Sequence, residues 1–70
     1  MNMKEVGKRI KEIRTEHSLS QQQFGDLLSV SQDTISLWEN GKAVPTAEFL
    51  IAIAQNFDVT VDYILCLKNY

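Results

Sequence analysis

The sequence predicts an all-α fold, a compact bundle of five short helices in a single domain over residues 1–70. Three observations support this prediction. Apolar residues recur at the three- and four-residue spacing of helices and show no strand-like alternation. Hydroxyl and amide residues that can cap a helix precede the apolar runs. The connections between these runs are short and contain the Asn, Gly and Pro residues that end or start helices.

Helix 1 is predicted from about Met3 to His17. Lysine and glutamate fill most of its positions, which is usual for a solvated helix face, and His17 is expected to cap its C-terminal end. One apolar stripe at the spacing i, i+4, i+7 is expected to face the core. The stripe consists of Val6, Ile10 and Ile13.

Helix 2 is predicted from about Gln21 to Leu28, directly after a capping signal. Ser20 can accept a bond from the backbone three residues later, and Gln23 can bond back to the backbone of Ser20, which is the arrangement of a capping box. The apolar residues of this helix are expected to face inward. They are Phe24, Leu27 and Leu28.

Helix 3 is predicted from about Gln32 to Asn40, with Ser31 as its cap and a glycine stop signal after it. On a helical wheel at about 100° per residue, Ile35 and Trp38 share one side and are expected to pack in the core. The opposite side is expected to be exposed, with short polar and acidic side chains and one leucine. Its members are Gln32, Asp33, Ser36 and Leu37.

Two further helices complete the predicted bundle. Helix 4 is predicted for residues 47–57, after a Pro-Thr start signal. Its apolar positions are Leu50, Ile51, Ile53, Ala54 and Phe57. Thr60 is expected to cap the last helix, which runs to about Leu67, and Cys66 within its apolar run is expected to be a buried thiol.

Composition excludes several classes of function. The chain has one cysteine, so it forms no internal disulfide, and it lacks Cys and His at zinc-binding spacing. It shows no nucleophile–base pair and no glycine-rich phosphate loop, so we expect neither an enzyme nor a metal or cofactor. No apolar run approaches the roughly 18 residues of a membrane span, and the N-terminus lacks a signal-peptide pattern. We therefore expect a cytoplasmic protein without a membrane partner.

Charge is distributed unevenly along the chain. The net charge is −2, yet residues 1–20 carry five cations against three anions, and residues 21–70 carry two cations against six anions. A binding surface can therefore be locally positive, whereas tight sequence-independent binding to nucleic acid is not expected.

The exposed side of helix 3 has the chemistry that recognises base edges in a major groove. Gln32 can bond adenine at N6 and N7, and Asp33 can accept a bond from cytosine N4. Ser36 can bond several base edges, and Leu37 can lie against a thymine methyl group. With no arginine or lysine on this side, we expect moderate affinity that depends on dimerisation.

Helices 2 and 3, at about residues 21–40, and their neighbours resemble the Cro and phage-repressor (XRE) family of helix-turn-helix proteins, whose fold is lambda-repressor-like. The resemblance extends from about Val6 to Leu65. One departure is Ser29, which stands where the family has glycine because the turn needs a left-handed backbone. The matching positions are Gln21, Gly25, Val30, Ile35, Trp38, residues 39–42, Pro45, residues 51–54 and residues 59–65.

The resemblance implies a sequence-specific, double-stranded DNA-binding regulator of transcription, with repression favoured and with helix 3 in the major groove. Arg14 would pair with Glu39 and hold helix 1 against helix 3, while Gln21 would brace Gln32. The residues expected to face bases are Gln32, Asp33, Ser36 and Leu37. Those expected to contact the DNA backbone, by side chain or main chain, are Gln21, Thr34, Asn40 and Lys42.

Several of these residues also have a purely structural interpretation. Asp33, in the first turn of its helix, can simply complement the helix dipole. Gln21 and Gln23 can be ordinary capping residues. Arg14 and Glu39 can form a surface pair worth less than about 1 kcal/mol.

The C-terminal segment, residues 61–70, is more apolar than one small core can absorb. We expect it to form a homodimer interface, so that two copies bind an inverted repeat with half-sites roughly 34 Å apart. The expected interface residues are Tyr63, Leu67 and Tyr70.

An alternative function is a protein-binding regulator such as an antitoxin, whose main partner is another polypeptide. The acidic balance of residues 21–70 would suit a basic partner. A further possibility is that the chain is the DNA-binding fragment of a longer repressor.

Overall fold

The structure is a computed structural model that describes residues 1–70, and it contains five helices and no strand. The helices are α1 (Met3–Glu16), α2 (Gln21–Leu28), α3 (Gln32–Glu39), α4 (Ala47–Phe57) and α5 (Val61–Ile64). The predicted all-α, five-helix fold is confirmed. No helix combines the length and the apolar character that crossing a membrane requires.

Caps explain where several helices begin and end. Ser20 accepts from the Gln23 amide, and the Gln23 side chain accepts from the Ser20 N–H, so the predicted capping box is present. Ser31 and Thr60 cap α3 and α5 as predicted, and His17 is the C-cap of α1. These bonds satisfy backbone groups that helix ends otherwise leave without a partner.

The turn between α2 and α3 contains a left-handed serine. Ser29 has φ 60° and ψ 38°, a conformation that costs a residue with a Cβ roughly 1 kcal/mol. The Val30 N–H donates to the carbonyl of Gly25 at 3.0 Å and closes the end of α2. The left-handed turn expected at Ser29 is therefore confirmed.

The last helix is shorter than predicted. It ends at Ile64 rather than near Leu67, because Cys66 has a left-handed backbone with φ 61°. The N–H groups of Cys66 and Leu67 donate back to the carbonyls of Tyr63 and Asp62, at 3.1 and 2.9 Å, as is typical where a helix terminates. The Cys66 side chain is half-buried rather than buried, so that prediction was wrong.

The core is a single cluster to which all five helices contribute. Leu27, which was predicted to face inward, is instead 51% exposed, and Ile51, an apolar position of helix 4, is 49% exposed. At about 100° per residue, each lies too far around its helix from the buried stripe to reach the core. The buried apolar residues are Val6, Ile10, Ile13, Phe24, Leu28, Ile35, Trp38, Leu50, Ile53, Phe57 and Ile64.

Helix α1 crosses α3 in backbone contact at Gly7. A Cβ at this position would lie 2.8 Å from the carbonyl oxygen of Glu39, and still closer to that of Trp38. Only glycine permits this approach, because neither carbonyl can move without shifting α3. The contact fixes α1 against the C-terminal half of α3, where the charged residues of the two helices meet.

Candidate nucleic-acid interface

Helix α3 presents a polar surface because its other side is anchored in the core. Ile35 and Trp38 are buried on the inner side. We call the outer side, which consists of Gln32, Asp33, Ser36 and Leu37, the exposed face of α3. Gln32 and Asp33 are exposed, Ser36 is half-buried and Leu37 is 45% exposed. The exposure predicted from the helical wheel is confirmed for Gln32, Asp33 and Leu37, whereas Ser36 is only partly exposed.

The first turn of α3 is tied together by hydroxyl groups. The Ser31 Oγ accepts from the Thr34 N–H at 3.2 Å and lies 3.0 Å from the Thr34 Oγ1. Asp33 stands in this turn, where a carboxylate complements the helix dipole. The geometry thus accommodates both interpretations of Asp33, as a dipole partner and as a group available to a ligand.

Arg14 and Glu39 form a buried, two-pronged ion pair between α1 and α3. The Arg14 Nε donates to one carboxylate oxygen at 2.6 Å and its Nη2 to the other at 2.9 Å. The side chains are only 12% and 3% exposed, so the interpretation as a surface pair was wrong. The hydrogen bond to Glu39 raises the pKa of Arg14 above its ordinary value, although burial alone would lower it.

The buried pair is linked to the exposed face of α3 through two glutamines. The Gln21 Nε2 donates to the Oε1 of Glu39 at 3.1 Å. The Gln32 Nε2 in turn donates to the Oε1 of Gln21 at 3.4 Å, which is at the long end of hydrogen-bond distances. Gln21 therefore has a tertiary partner and is more than a capping residue, whereas Gln23 makes the cap described above.

At the C-terminal end of α3, the backbone N–H groups form hydrogen bonds within the domain. The N–H groups of Asn40, Gly41 and Lys42 donate to carbonyls within the preceding turn, at 3.0, 3.1 and 2.9 Å. The Asn40 side chain donates to the Ser36 Oγ at 3.2 Å. The Lys42 side chain is exposed, so its ammonium group is the donor at this end that can reach an anion outside the domain.

In the C-terminal segment, Tyr63 is held against α1, whereas Leu67 and Tyr70 are exposed. The guanidinium group of Arg9 lies 4.0 Å above the Tyr63 ring, and its Nη1 donates to the Tyr63 carbonyl at 2.7 Å. Leu67 and Tyr70 remain 63% and 74% exposed. No local sequence pattern indicates the Arg9–Tyr63 contact, since 54 positions separate the two residues.

A left-handed turn between two capped helices, with a polar face on the second, defines a helix-turn-helix domain. The family described as Helix-turn-helix matches residues 10–64, which is most of the chain. The chain therefore belongs to this family, in its Cro and phage-repressor branch, whose members are DNA-binding transcriptional regulators and not enzymes.

Known proteins with related sequences include regulators of different kinds. The chain is 39% identical over 61 residues to the HTH-type transcriptional activator BcrR of Enterococcus faecalis, covering 87% of this chain and 30% of BcrR. It is 34% identical over 55 residues to the antitoxin PezA of Streptococcus pneumoniae serotype 4, covering 79% of this chain and 35% of PezA. The chain thus spans about a third of the length of these relatives.

A solved structure shows the same fold at significant sequence identity. The repressor protein c2 of phage P22, in a crystal structure with the synthetic operator 9T, superposes with a TM-score of 0.79 and is 30% identical. The match covers 84% of this chain and 89% of that one.

Proposed function

We propose that residues 1–70 act as one domain that binds double-stranded DNA sequence-specifically, with α3 in the major groove, and that regulates transcription. The observation that carries the proposal is the exposed face of α3, whose Gln32, Asp33, Ser36 and Leu37 project outward from a helix that is anchored in the core. A rigid element gives such side chains defined positions at base edges. The likeness to c2, a repressor crystallised with an operator, adds support and favours repression.

The proposed roles divide the surface into base contacts and backbone contacts. Gln32, Asp33, Ser36 and Leu37 contact bases, while Gln21, Thr34, Asn40 and Lys42 contact the DNA backbone. At Lys42 the side chain makes this contact, because the main-chain N–H donates within the domain. Arg14 and Glu39 hold α1 against α3 without touching DNA.

Replacing Gln32 with alanine is expected to weaken binding to the cognate site by about 1–3 kcal/mol and to relax the base preference at one position, and Ser36→Ala should do the same at another. The measurement is equilibrium binding to a site selected from random DNA and to its single-base variants. Unchanged affinity of Gln32→Ala for the selected site would contradict the base-contact assignment.

The control for this experiment is Lys42→Ala, which removes a proposed phosphate contact. Its affinity should fall by the same factor for every sequence. The negative slope of the logarithm of the binding constant against the logarithm of the salt concentration should become shallower by roughly 0.9. The two variants thus separate base recognition from phosphate attraction.

We further propose that two copies bind an inverted repeat as a homodimer through Tyr63, Leu67 and Tyr70. Leu67 and Tyr70 leave large apolar side chains in solvent at 63% and 74% exposure, and burial in a dimer would remove them from water. Light scattering should give a dimer mass at high protein concentration or on DNA, and Leu67→Glu should shift it towards the monomer. A monomer mass both at high protein concentration and on DNA would contradict the proposed homodimer.

A second candidate function is that of an antitoxin-like regulator whose main partner is a basic polypeptide. Its support is the 34% identity to PezA and the excess of anions in residues 21–70. Selection from random DNA separates the two candidates, because absence of any enriched sequence would favour the polypeptide partner.

A further inference from the structure

We infer that one edge of α1 extends the DNA-binding surface, and that a row of three lysines on it binds phosphates beyond those contacted by the residues in and around α3. The row consists of Lys4, Lys8 and Lys11, and we call it the lysine edge of α1. The inference rests on the proposed DNA binding. It supplies the sequence-independent attraction that the exposed face of α3, with no cation, lacks.

The cationic side chains fall into two groups by their partners. Of the seven lysines and arginines, three form ion pairs with carboxylates, namely Arg9, Arg14 and Lys68. The other four are the lysine edge and Lys42, which are exposed and form no ion pair. The unpaired lysine and arginine charge of the domain is therefore confined to one helix edge and the residue that follows Gly41.

The lysine edge lies on the side of α1 that packs against α3. Gly7 marks this side, since it meets two backbone carbonyl groups of α3. At about 100° per residue, the three lysines lie about 40–100° around the helix from Gly7, whereas Glu5, Glu12 and Glu16 lie about 140–180° from it. The lysines and the glutamates of α1 thus occupy separate edges, and the lysines are nearer to α3.

The lysine edge begins beside the C-terminal end of α3. A Cβ on Gly41 would lie 2.9 Å from the Cα of Lys4, so the first turn of α1 passes directly next to Gly41. Lys42 is the next residue, and its side chain is exposed. The phosphate contact proposed for Lys42 therefore continues into Lys4 and from there along α1.

A row of lysines suits a regular row of anions. Lys4 and Lys8 are four residues apart and Lys8 and Lys11 are three apart, which are spacings at which like charges on a helix repel. A polyanion would relieve this repulsion. At about 1.5 Å per residue the row is about 10 Å long, and the phosphates of one DNA strand recur about every 3.4 Å along the duplex axis. Ammonium groups bind phosphates as point charges, which requires no particular base.

The test measures how the affinity for the selected DNA site depends on salt. Each lysine that neutralises a phosphate contributes roughly 0.9 to the slope of the logarithm of the binding constant against the logarithm of the salt concentration. The combined variant with Lys4→Gln, Lys8→Gln and Lys11→Gln should therefore have a slope that is shallower by about 2–3 for each bound chain. Its preference for the selected site over single-base variants should not change, because the exposed face of α3 is unaltered.

Two control variants separate a phosphate contact from a change in net charge. Gln55→Glu, at an exposed position of α4, changes the net charge by the same amount as one lysine substitution, and its slope should equal that of the unaltered protein. Lys8→Arg keeps the charge and should keep the slope. Lys8→Gln should make the slope shallower by roughly 0.9 for each bound chain.

Urea denaturation establishes that the variants are folded. The combined variant should be at least as stable as the unaltered protein, because it removes like charges at neighbouring positions of α1. If the combined variant is unfolded, the comparison of Lys8→Gln with Lys8→Arg decides the matter.

Ethylation interference identifies the phosphates that the lysine edge contacts. Ethylation removes the charge of a phosphate and weakens binding wherever a cation is in contact with it. Some phosphates should therefore be required by the unaltered protein and not by the combined variant.

Three results would be decisive against these proposals. An unchanged salt slope in the folded combined variant, or an equal change of slope in Gln55→Glu and Lys8→Gln, would overturn the inference while leaving DNA binding intact. No sequence preference in the unaltered protein would overturn the proposed function itself.

Discussion

Replacing Gly7 with alanine is expected to destabilise the domain by about 3 kcal/mol or more, at or above the upper end for overpacking. The added Cβ would meet the carbonyl oxygens of Trp38 and Glu39, which are backbone atoms, so α1 and α3 must separate. The greater helix propensity of alanine, about 1 kcal/mol, offsets only part of this cost. Since a core of this size supplies roughly 3–5 kcal/mol, little stability should remain.

Urea denaturation followed by far-UV circular dichroism measures the free energy of unfolding of Gly7→Ala. The control is Lys8→Ala, an exposed position one residue away on α1, which should change the free energy by less than about 0.5 kcal/mol. If Gly7→Ala were as stable as the unaltered protein or more stable, α1 and α3 could move apart without loss of stability.

Replacing Arg14 with methionine is expected to cost about 3–5 kcal/mol, because it leaves the carboxylate of Glu39 buried without a counter-charge. The carbonyl of Leu19 also loses its donor, the Arg14 Nη1 at 2.9 Å. The measurement is again the free energy of unfolding. A loss below about 1 kcal/mol would match an exposed pair and would contradict the burial seen here.

The double variant Arg14→Met with Glu39→Leu provides the control for this result. Apolar residues of similar volume often replace a buried ion pair without loss of stability, so the double variant should recover most of what Arg14→Met loses.

The sequence predicted the helices well where a capping residue marks their ends. The starts of α2 and α4 match the prediction because Ser20 and the Pro-Thr signal are local features, although the Thr46 side chain makes no cap bond to α4. The end of α5 was not predicted correctly, because the left-handed residue there is Cys66 and a cysteine in the sequence does not indicate that conformation. Leu27 was misplaced because a short helix buries a narrow stripe, and apolarity alone does not locate its centre.

The candidate interface was only partly predictable from the sequence, because part of it depends on how distant segments pack. The exposure of Gln32 and Leu37 follows from helix periodicity, which is local. The Arg14–Glu39 pair came from family resemblance, and its burial, its bond to Gln21 and the Arg9–Tyr63 contact depend on how distant segments pack. Gly7 offered one usable signal, since a glycine inside a helix costs about 1 kcal/mol and so indicates a packing reason.

The exposed face of α3 consists of positions with different freedom to change during evolution. The amide of Gln32 is tied through Gln21 to a buried pair, so an altered side chain there disturbs bonds that continue into the core. The side chain of Leu37 projects into solvent at 45% exposure, and Asp33 is exposed as well. With the DNA contacts proposed above, substitutions at Asp33 and Leu37 would change the target sequence at little cost to stability. Divergence of related regulators would then begin at these two positions, with Gln32 the slowest to be replaced.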